Sequence, residues 1–174
     1  MEKLNIIKIH QLRSNSISNL SKSDVIKMLK AKDFFDKNMN STGEGIHHSY
    51  EEILSFEAVL IKDYTTKLMW QKSGSLNNMN FDSAKKFINE LNINNFGGYN
   101  DWRLPTLEEA MSLVSPKKQN SAYIFTKFDI MQSWIWTSDA ESENSRWRVY
   151  FYHGYAVNHN VGNGLNAVRA VRNL

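Results

Sequence analysis

Two periodicities divide this chain. From Ser145, apolar and polar positions alternate, with Trp147, Val149 and Phe151 on one side and Arg146, Arg148, Tyr150 and Tyr152 on the other. A period of two, rich in aromatic and β-branched residues, predicts a strand with one buried and one polar face. After a His153-Gly154 turn come Tyr155, Asn158, His159, Asn160, Asn163 and Asn166, punctuated by Gly162 and Gly164. Earlier in the chain the period is helical. Asn80 caps a run with Phe81, Ala84, Ile88 and Leu91 on one face, and Gly97-Gly98 stop it. Thr106 and Glu109 supply a capping box for a second helix, whose stripe is Leu107, Ala110, Met111 and Val114 and whose end is Pro116.

Weaker patterns fill the remainder. Phe56 to Ile61 predicts a strand, Asp63 to Thr66 a turn, and the segment through Leu68 and Trp70 a second strand. Residues 115–131 read as loop, with Tyr123, Phe125 and Phe128 as anchors. Trp134 and Trp136 alternate around Ile135 in a short strand, and Ser138 to Asn144 reads as a polar turn. Upstream, Ser21 and Asp24 open a helix with Val25, Met28 and Leu29 on one stripe, ending near Lys32. A helix of about ten residues is marginal alone in water, so this one must dock. The order predicts an α+β domain over residues 56–174, with two helices and short antiparallel strands, preceded by a small helical extension over residues 1–55.

Length and composition narrow the class. With 174 residues, 41% hydrophobic and 22% charged, the chain suits one ordinary globular domain with an appendage. No apolar run approaches the roughly 18 to 20 residues of a membrane span. The opening MEKLNIIKIHQLRS lacks the apolar core of a leader, so the expected location is cytoplasmic by default, with export by another route left open. The absence of cysteine excludes disulfides, thiol nucleophiles and thiolate metal sites. The net charge of +3 is uneven, because Ser145–Leu174 holds four arginines and no acid. Opposed to tyrosines and asparagines, that excess points to an anionic or polar ligand.

Catalytic and metal patterns are weak. Asp36, Asn38 and Asn40 occupy the first, third and fifth places of a calcium loop, but Ser41 stands at the glycine position and His47 at the bidentate glutamate. A polar turn is the expectation there. The five histidines, at 10, 47, 48, 153 and 159, form no zinc spacing. His47 and His48 are adjacent and diverge in an extended chain, while His153 and His159 would meet across a hairpin as an incomplete site. Glu108 and Glu109 complement a helix N-terminus without need of catalysis. The chain is therefore expected to be no enzyme, and to hold no metal and no cofactor.

Asp63 to Gln71 (DYTTKLMWQ), Gly97 to Thr106 (GGYNDWRLPT), Trp136-Thr137-Ser138 and the terminal VRAVR together resemble the C-terminal domain family of bacterial collagen-like adhesins, of the Lcl C-terminal type. The resemblance covers roughly residues 56–174. It implies a C-type-lectin-like fold, related to that of formylglycine-generating enzymes. The chemistry of those enzymes does not carry over, because it needs cysteines. Asn100-Asp101-Trp102 has the letters of a lectin calcium motif in another order, so calcium-dependent sugar binding is not expected. Trp102 is read as core, and Asp101 as a capping or arginine-pairing group. Proteins of this fold also include variable proteins of diversity-generating retroelements, and the Asn, Tyr and His residues between Tyr150 and Asn166 are of the kind adenine-rich codons give.

The expected function is a binding module recognising a protein or an anionic glycan, as adhesin-like relatives do. The candidate ligand residues are Arg146, Arg148, Tyr150, Tyr152, Tyr155, Asn158, His159, Asn160 and Asn163. Tyrosine adds a ring and a hydroxyl at little entropic cost, and arginine adds a forked donor for sulfate, carboxylate or phosphate. Nucleic-acid binding is the alternative, disfavoured because residues 1–145 are close to neutral. The oligomeric state is left open.

Overall fold

The computed structural model describes residues 8–174; the leader reading of the first seven residues lies outside them. A four-stranded antiparallel sheet in the order β1-β2-β3-β9 forms one half of the molecule, from β1 (Tyr50–Ser55), β2 (Ala58–Asp63), β3 (Leu68–Gln71) and β9 (Val171–Asn173). A three-stranded antiparallel sheet in the order β6-β7-β8 forms the other, from β6 (Trp134–Ser142), β7 (Ser145–Tyr150) and β8 (Tyr155–Asn160). A two-stranded hairpin joins β4 (Val114–Gln119) to β5 (Ala122–Ile124). Three helices pack around these sheets: α1 (Lys22–Ala31), α2 (Phe81–Ile93) and α3 (Leu107–Ser112). The class is α+β.

The helix caps explain the helix starts. Side chains of Ser21, Asn80 and Thr106 accept from the backbone N–H three residues on, and Glu109 completes a reciprocal capping box. α3 ends at Ser112, sooner than the stripe suggested, because Val114 already pairs with Ile124 in the β4–β5 hairpin. That hairpin takes up residues 114–124, most of the stretch expected as loop over 115–131, and residues 125–131 remain loop. Its turn residues Asn120 and Ser121 both have positive φ, the geometry of a two-residue hairpin turn. β6 likewise runs to Ser142 through the stretch read as a polar turn, with register irregularities at its far end.

At the other sheet, Phe56 and Glu57 are the turn rather than the start of a strand, again with positive φ at both positions. β1 precedes them and pairs with β2 from Tyr50↔Asp63 to Ser55↔Ala58, so residues 50–55 are part of this sheet. One face of it packs Ile61, Leu68, Trp70 and Val171 into the main core; the other packs Ala58, Leu60 and Met69 against Leu91 and Trp102. The terminal strand β9 closes on β3 through Trp70↔Val171.

The extension is woven into the same core. Leu20, Val25, Leu29, Phe34, Phe35 and Ile46 are buried in one cluster with Trp147, Val149 and Phe151. Trp147 Nε1 donates to Leu20 O at 2.9 Å, and Leu20 N donates to Ala140 O at 2.7 Å. The carboxylate of Asp139, fully buried, binds both terminal nitrogens of Arg13 at 2.9 and 2.7 Å, with Ile17 N and Leu107 N each at 2.7 Å. One side chain thus ties extension, β6 and the N-terminus of α3 together, and its four donors compensate its desolvation.

Candidate ligand-binding face

The geometry of β6-β7-β8 sorts the alternating residues. Trp147 and Val149 point into the core, where they are 2% and 0% exposed. On the opposite face the register sets Trp134 beside Tyr150 and Tyr150 beside Tyr155, with Arg148 across from Trp136 and Val157. The Trp134 and Tyr150 rings stack with centroids 3.9 Å apart and planes 6° from parallel. The Arg148 guanidinium carbon lies 3.8 Å from the centre of the same indole. Two planar groups that close cannot share one face of a ring, so Trp134 is sandwiched between Arg148 and Tyr150. Tyr155 meets both Trp134 and Tyr150 edge-on, at 5.9 and 5.6 Å. Edge-to-face and stacked pairs of this kind each add on the order of 0.5–1.5 kcal/mol beyond area burial, which keeps the plate rigid.

The turn after β7 extends the plate. Tyr152, 43% exposed, lies 6.4 Å from Tyr150, and His153 lies 4.8 Å from Tyr150. Strand β7 ends at Tyr150, so Tyr152 reaches the cluster from the turn and not as the next position of the strand. Gly154, at φ +71, makes the turn possible: a Cβ there would stand 2.7 Å from the Tyr123 ring. Lys118 of β4 holds its Nζ 5.5 Å from the Tyr152 ring and 5.6 Å from that of Tyr123, adding a second cation at this end.

Arg148 is the half-buried charged member. Its Nη1 donates to Asn166 Oδ1 at 2.9 Å, and it forms no ion pair among the described residues. Its Nε and the neighbouring Asn166 Nδ2 are buried donors without an acceptor. Burial lowers the pKa of Arg148, with Tyr155 opposing. His159 is also held below its ordinary value, first by burial and then by the charge of Arg148. A half-buried guanidinium stacked on an indole, without a carboxylate partner among the described residues, can offer charge-assisted donors to an anion.

Other candidate residues stand elsewhere. Arg146 lies on the same face, across from His159, but its Nη1 donates to the carbonyls of Ser142, Glu143 and Ser145 at 3.0 to 3.3 Å, closing the β6–β7 turn. Its guanidinium also covers Phe81 at 4.8 Å. Asn158 pairs with Trp147 and so faces the other way, where its amide donates to Glu141. Asn160 shares that side and uses Oδ1 to accept Gly162 N at 2.8 Å. Asn163 is exposed on the following loop, which Gly164 presses against His159 and Trp136. Thus Arg148, Tyr150, Tyr152 and Tyr155 are brought together, with His159 at the margin, while Asn158 and Asn160 are not part of that face. Trp134 and Lys118 join it although sequence reasoning did not select them; the one signal for Trp134 was its alternation opposite Ile135.

The terminal arginines are structural. Arg169, fully buried, donates to Lys72 O and Asp129 O at 2.7 Å each and to Gln132 Oε1 at 3.3 Å. Burial pulls its pKa down to about 9. Arg172 pairs with Asp101 at 2.6 and 3.2 Å over the Tyr99 ring. Trp102 is core, at 2% exposed. The calcium-loop letters are likewise spoken for: Asp36 accepts from Asn38 N, Met39 N and Ala156 N at 2.7 to 2.9 Å. His153 lies in the turn before β8 and His159 near the far end of that strand, so the two are set apart along it. Among the described residues no group of three or more His, Asp or Glu side chains could hold a metal, and no helix is long and apolar enough to cross a membrane.

The chain belongs to the Lcl C-terminal domain family, whose model matches residues 59–172. That span runs from β2 to β9 and includes the whole of the aromatic face. Neither the curated proteins nor the solved structures yielded a match to it.

Proposed function

We propose that this chain is an adhesin-like binding module, without catalytic activity, that recognises an anionic glycan through the outer face of β6-β7-β8. The observation that carries the proposal is the Arg148 guanidinium, stacked 3.8 Å from Trp134 and free of any carboxylate partner among the described residues. Around it, Tyr150, Tyr152 and Tyr155 offer rings to the apolar faces of sugars and hydroxyls to their oxygens, and Lys118 adds charge at the turn. Enzyme chemistry has no support in this arrangement: no base and nucleophile converge on the face. A C-type-lectin-like architecture is part of the same reading, supported by the terminal β9 pairing with β3 and by two helices flanking the sheets.

Immobilised heparin tests the proposal. Arg148→Ala is expected to elute at lower salt, with affinity reduced about tenfold, the equivalent of one lost charge-assisted hydrogen bond. Tyr150→Ala with Tyr152→Ala should weaken retention further, while melting temperature stays within a few degrees. Unchanged retention by a folded Arg148→Ala protein would remove this face from the account. Equal retention on a neutral dextran would remove the anionic ligand. Diversification of the Asn, Tyr and His positions by a retroelement is a separate proposal, supported by their placement outside the Trp147, Val149 and Phe151 scaffold. An adenine-rich near-copy of the codons for Arg146 to Arg172 beside a reverse transcriptase gene tests it.

A further inference from the structure

A second basic site lies far along the chain from the aromatic face, where the extension crosses the first sheet. A cavity of about 930 Å³ opens between residues 8–10, the C-terminal end of α1, the segment 45–49 and the β2–β3 turn. Lys8, His10, Lys32 and His47 line it, with Ser49 beside them and Asp33 as the one acid on its wall. Lys32 is partly committed, with Nζ 3.0 Å from Glu108 and 2.9 Å from Gln11 O. The side chains of Lys8, His10 and His47 have no hydrogen-bond or ion-pair partner among the described residues.

The back of the cavity is fixed. His48, its side chain 1% exposed, sets Nδ1 2.6 Å from Asp63 Oδ2 and Nε2 2.8 Å from Ser112 O. Both contacts are acceptors, so both ring nitrogens are engaged and His48 is wall and not ligand. His10 N donates to Thr65 O at 2.8 Å, which fixes the segment that carries Lys8 and His10. The His10 ring is held below its ordinary pKa, first by burial and then by the charges of Lys8, His48 and Lys32. Asp63 opposes that shift, and an anion beside Lys8 and Lys32 would oppose it as well.

We propose that this cavity binds a small multivalent oxyanion, held by Lys8, His10 and His47 with Lys32 at its edge. One unpartnered ammonium and two unpartnered imidazoles lining one concave wall favour a ligand with more than one oxygen acceptor, and the volume falls within the usual range for small-molecule sites, roughly 300–1,000 Å³. Phosphate and carboxylate share that chemistry, and two probes separate them: inorganic pyrophosphate and citrate.

Isothermal titration with the full chain is the test. Saturable binding of pyrophosphate, citrate or both supports the proposal, and the stronger of the two names the anion class. Lys8→Ala with His47→Ala, both on exposed side chains, should weaken that binding about tenfold or more, as loss of a charge-assisted hydrogen bond does. Arg148→Ala should leave it unchanged, which keeps this site separable from the sheet face. The proposal is overturned if neither probe binds, if sodium chloride at equal ionic strength gives the same heat, or if the double variant binds as the parent does. It is equally overturned if Arg148→Ala abolishes the binding.

Discussion

Asp36 shows how one residue type can signal one chemistry and perform another. Its fully buried carboxylate caps the turn after α1 through Asn38 N and Met39 N, and crosses to β8 through Ala156 N. Replacing it with alanine strands three N–H donors, and the expected loss is on the order of 2–3 kcal/mol, read as a lower midpoint in urea. Calcium and EDTA should leave that midpoint unmoved in the parent protein. His159 gives the pH prediction. Its folded pKa lies below the ordinary 6.5, so the fold favours the neutral ring; the stability this contributes is present above 6.5 and is lost as pH falls through the lower folded value. Removing the nearby charge in Arg148→Ala should move the His159 titration up toward 6.5, observed by NMR of the ring protons. A titration unmoved or moved down would separate the two residues. Both roles were hidden from the sequence for the same reason: it gives the titratable group but not its neighbour.

At the scale of elements, local chemistry was legible and long-range pairing was not. The caps at Ser21, Asn80 and Thr106 fell where the spacing put them, because a cap is a contact over three residues. The β4–β5 hairpin was not legible, since Asn120-Ser121 adopts a turn more often signalled by Asn-Gly. The far half of β6 was hidden by Asp139, a buried charge whose partner Arg13 is 126 positions away. Alternation puts Trp134 on a strand but cannot by itself tell a covered face from an open one. Its position makes a prediction about the element. Trp134→Ala removes the surface on which Arg148 and Tyr150 both rest, so retention on heparin should fall at least as far as in Arg148→Ala. Gly154→Ala should reach the same end by another route, displacing the turn through its clash with Tyr123 and lowering the melting temperature as well. A Gly154→Ala protein with parental melting and retention would show that the turn does not position Tyr152.

The whole molecule does not divide where the family span begins. The family match starts at residue 59, inside β2, yet the edge strand β1 lies before the match and makes six cross-strand pairs with β2. Six buried apolar side chains of the extension, from Leu20 to Ile46, belong to the cluster that also holds Trp147 and Phe151, the core side of the binding strand and its turn. Asp139 and Asp36 then fix the extension to β6 and β8 by buried hydrogen bonds. A chain beginning at Phe56 would expose that apolar surface and leave Asp139 buried without Arg13, a loss of 3–5 kcal/mol by rough order for the unpaired charge alone. Domains of this size are stable by only about 5–15 kcal/mol, so the shortened chain should lack a cooperative thermal transition and the near-ultraviolet dichroism of packed tryptophans. The full chain should unfold in one transition, extension and domain together. A shortened chain that melts cooperatively and still binds heparin would instead make the extension an accessory, and the face would then owe its rigidity to Trp134, Tyr150 and Tyr155 alone.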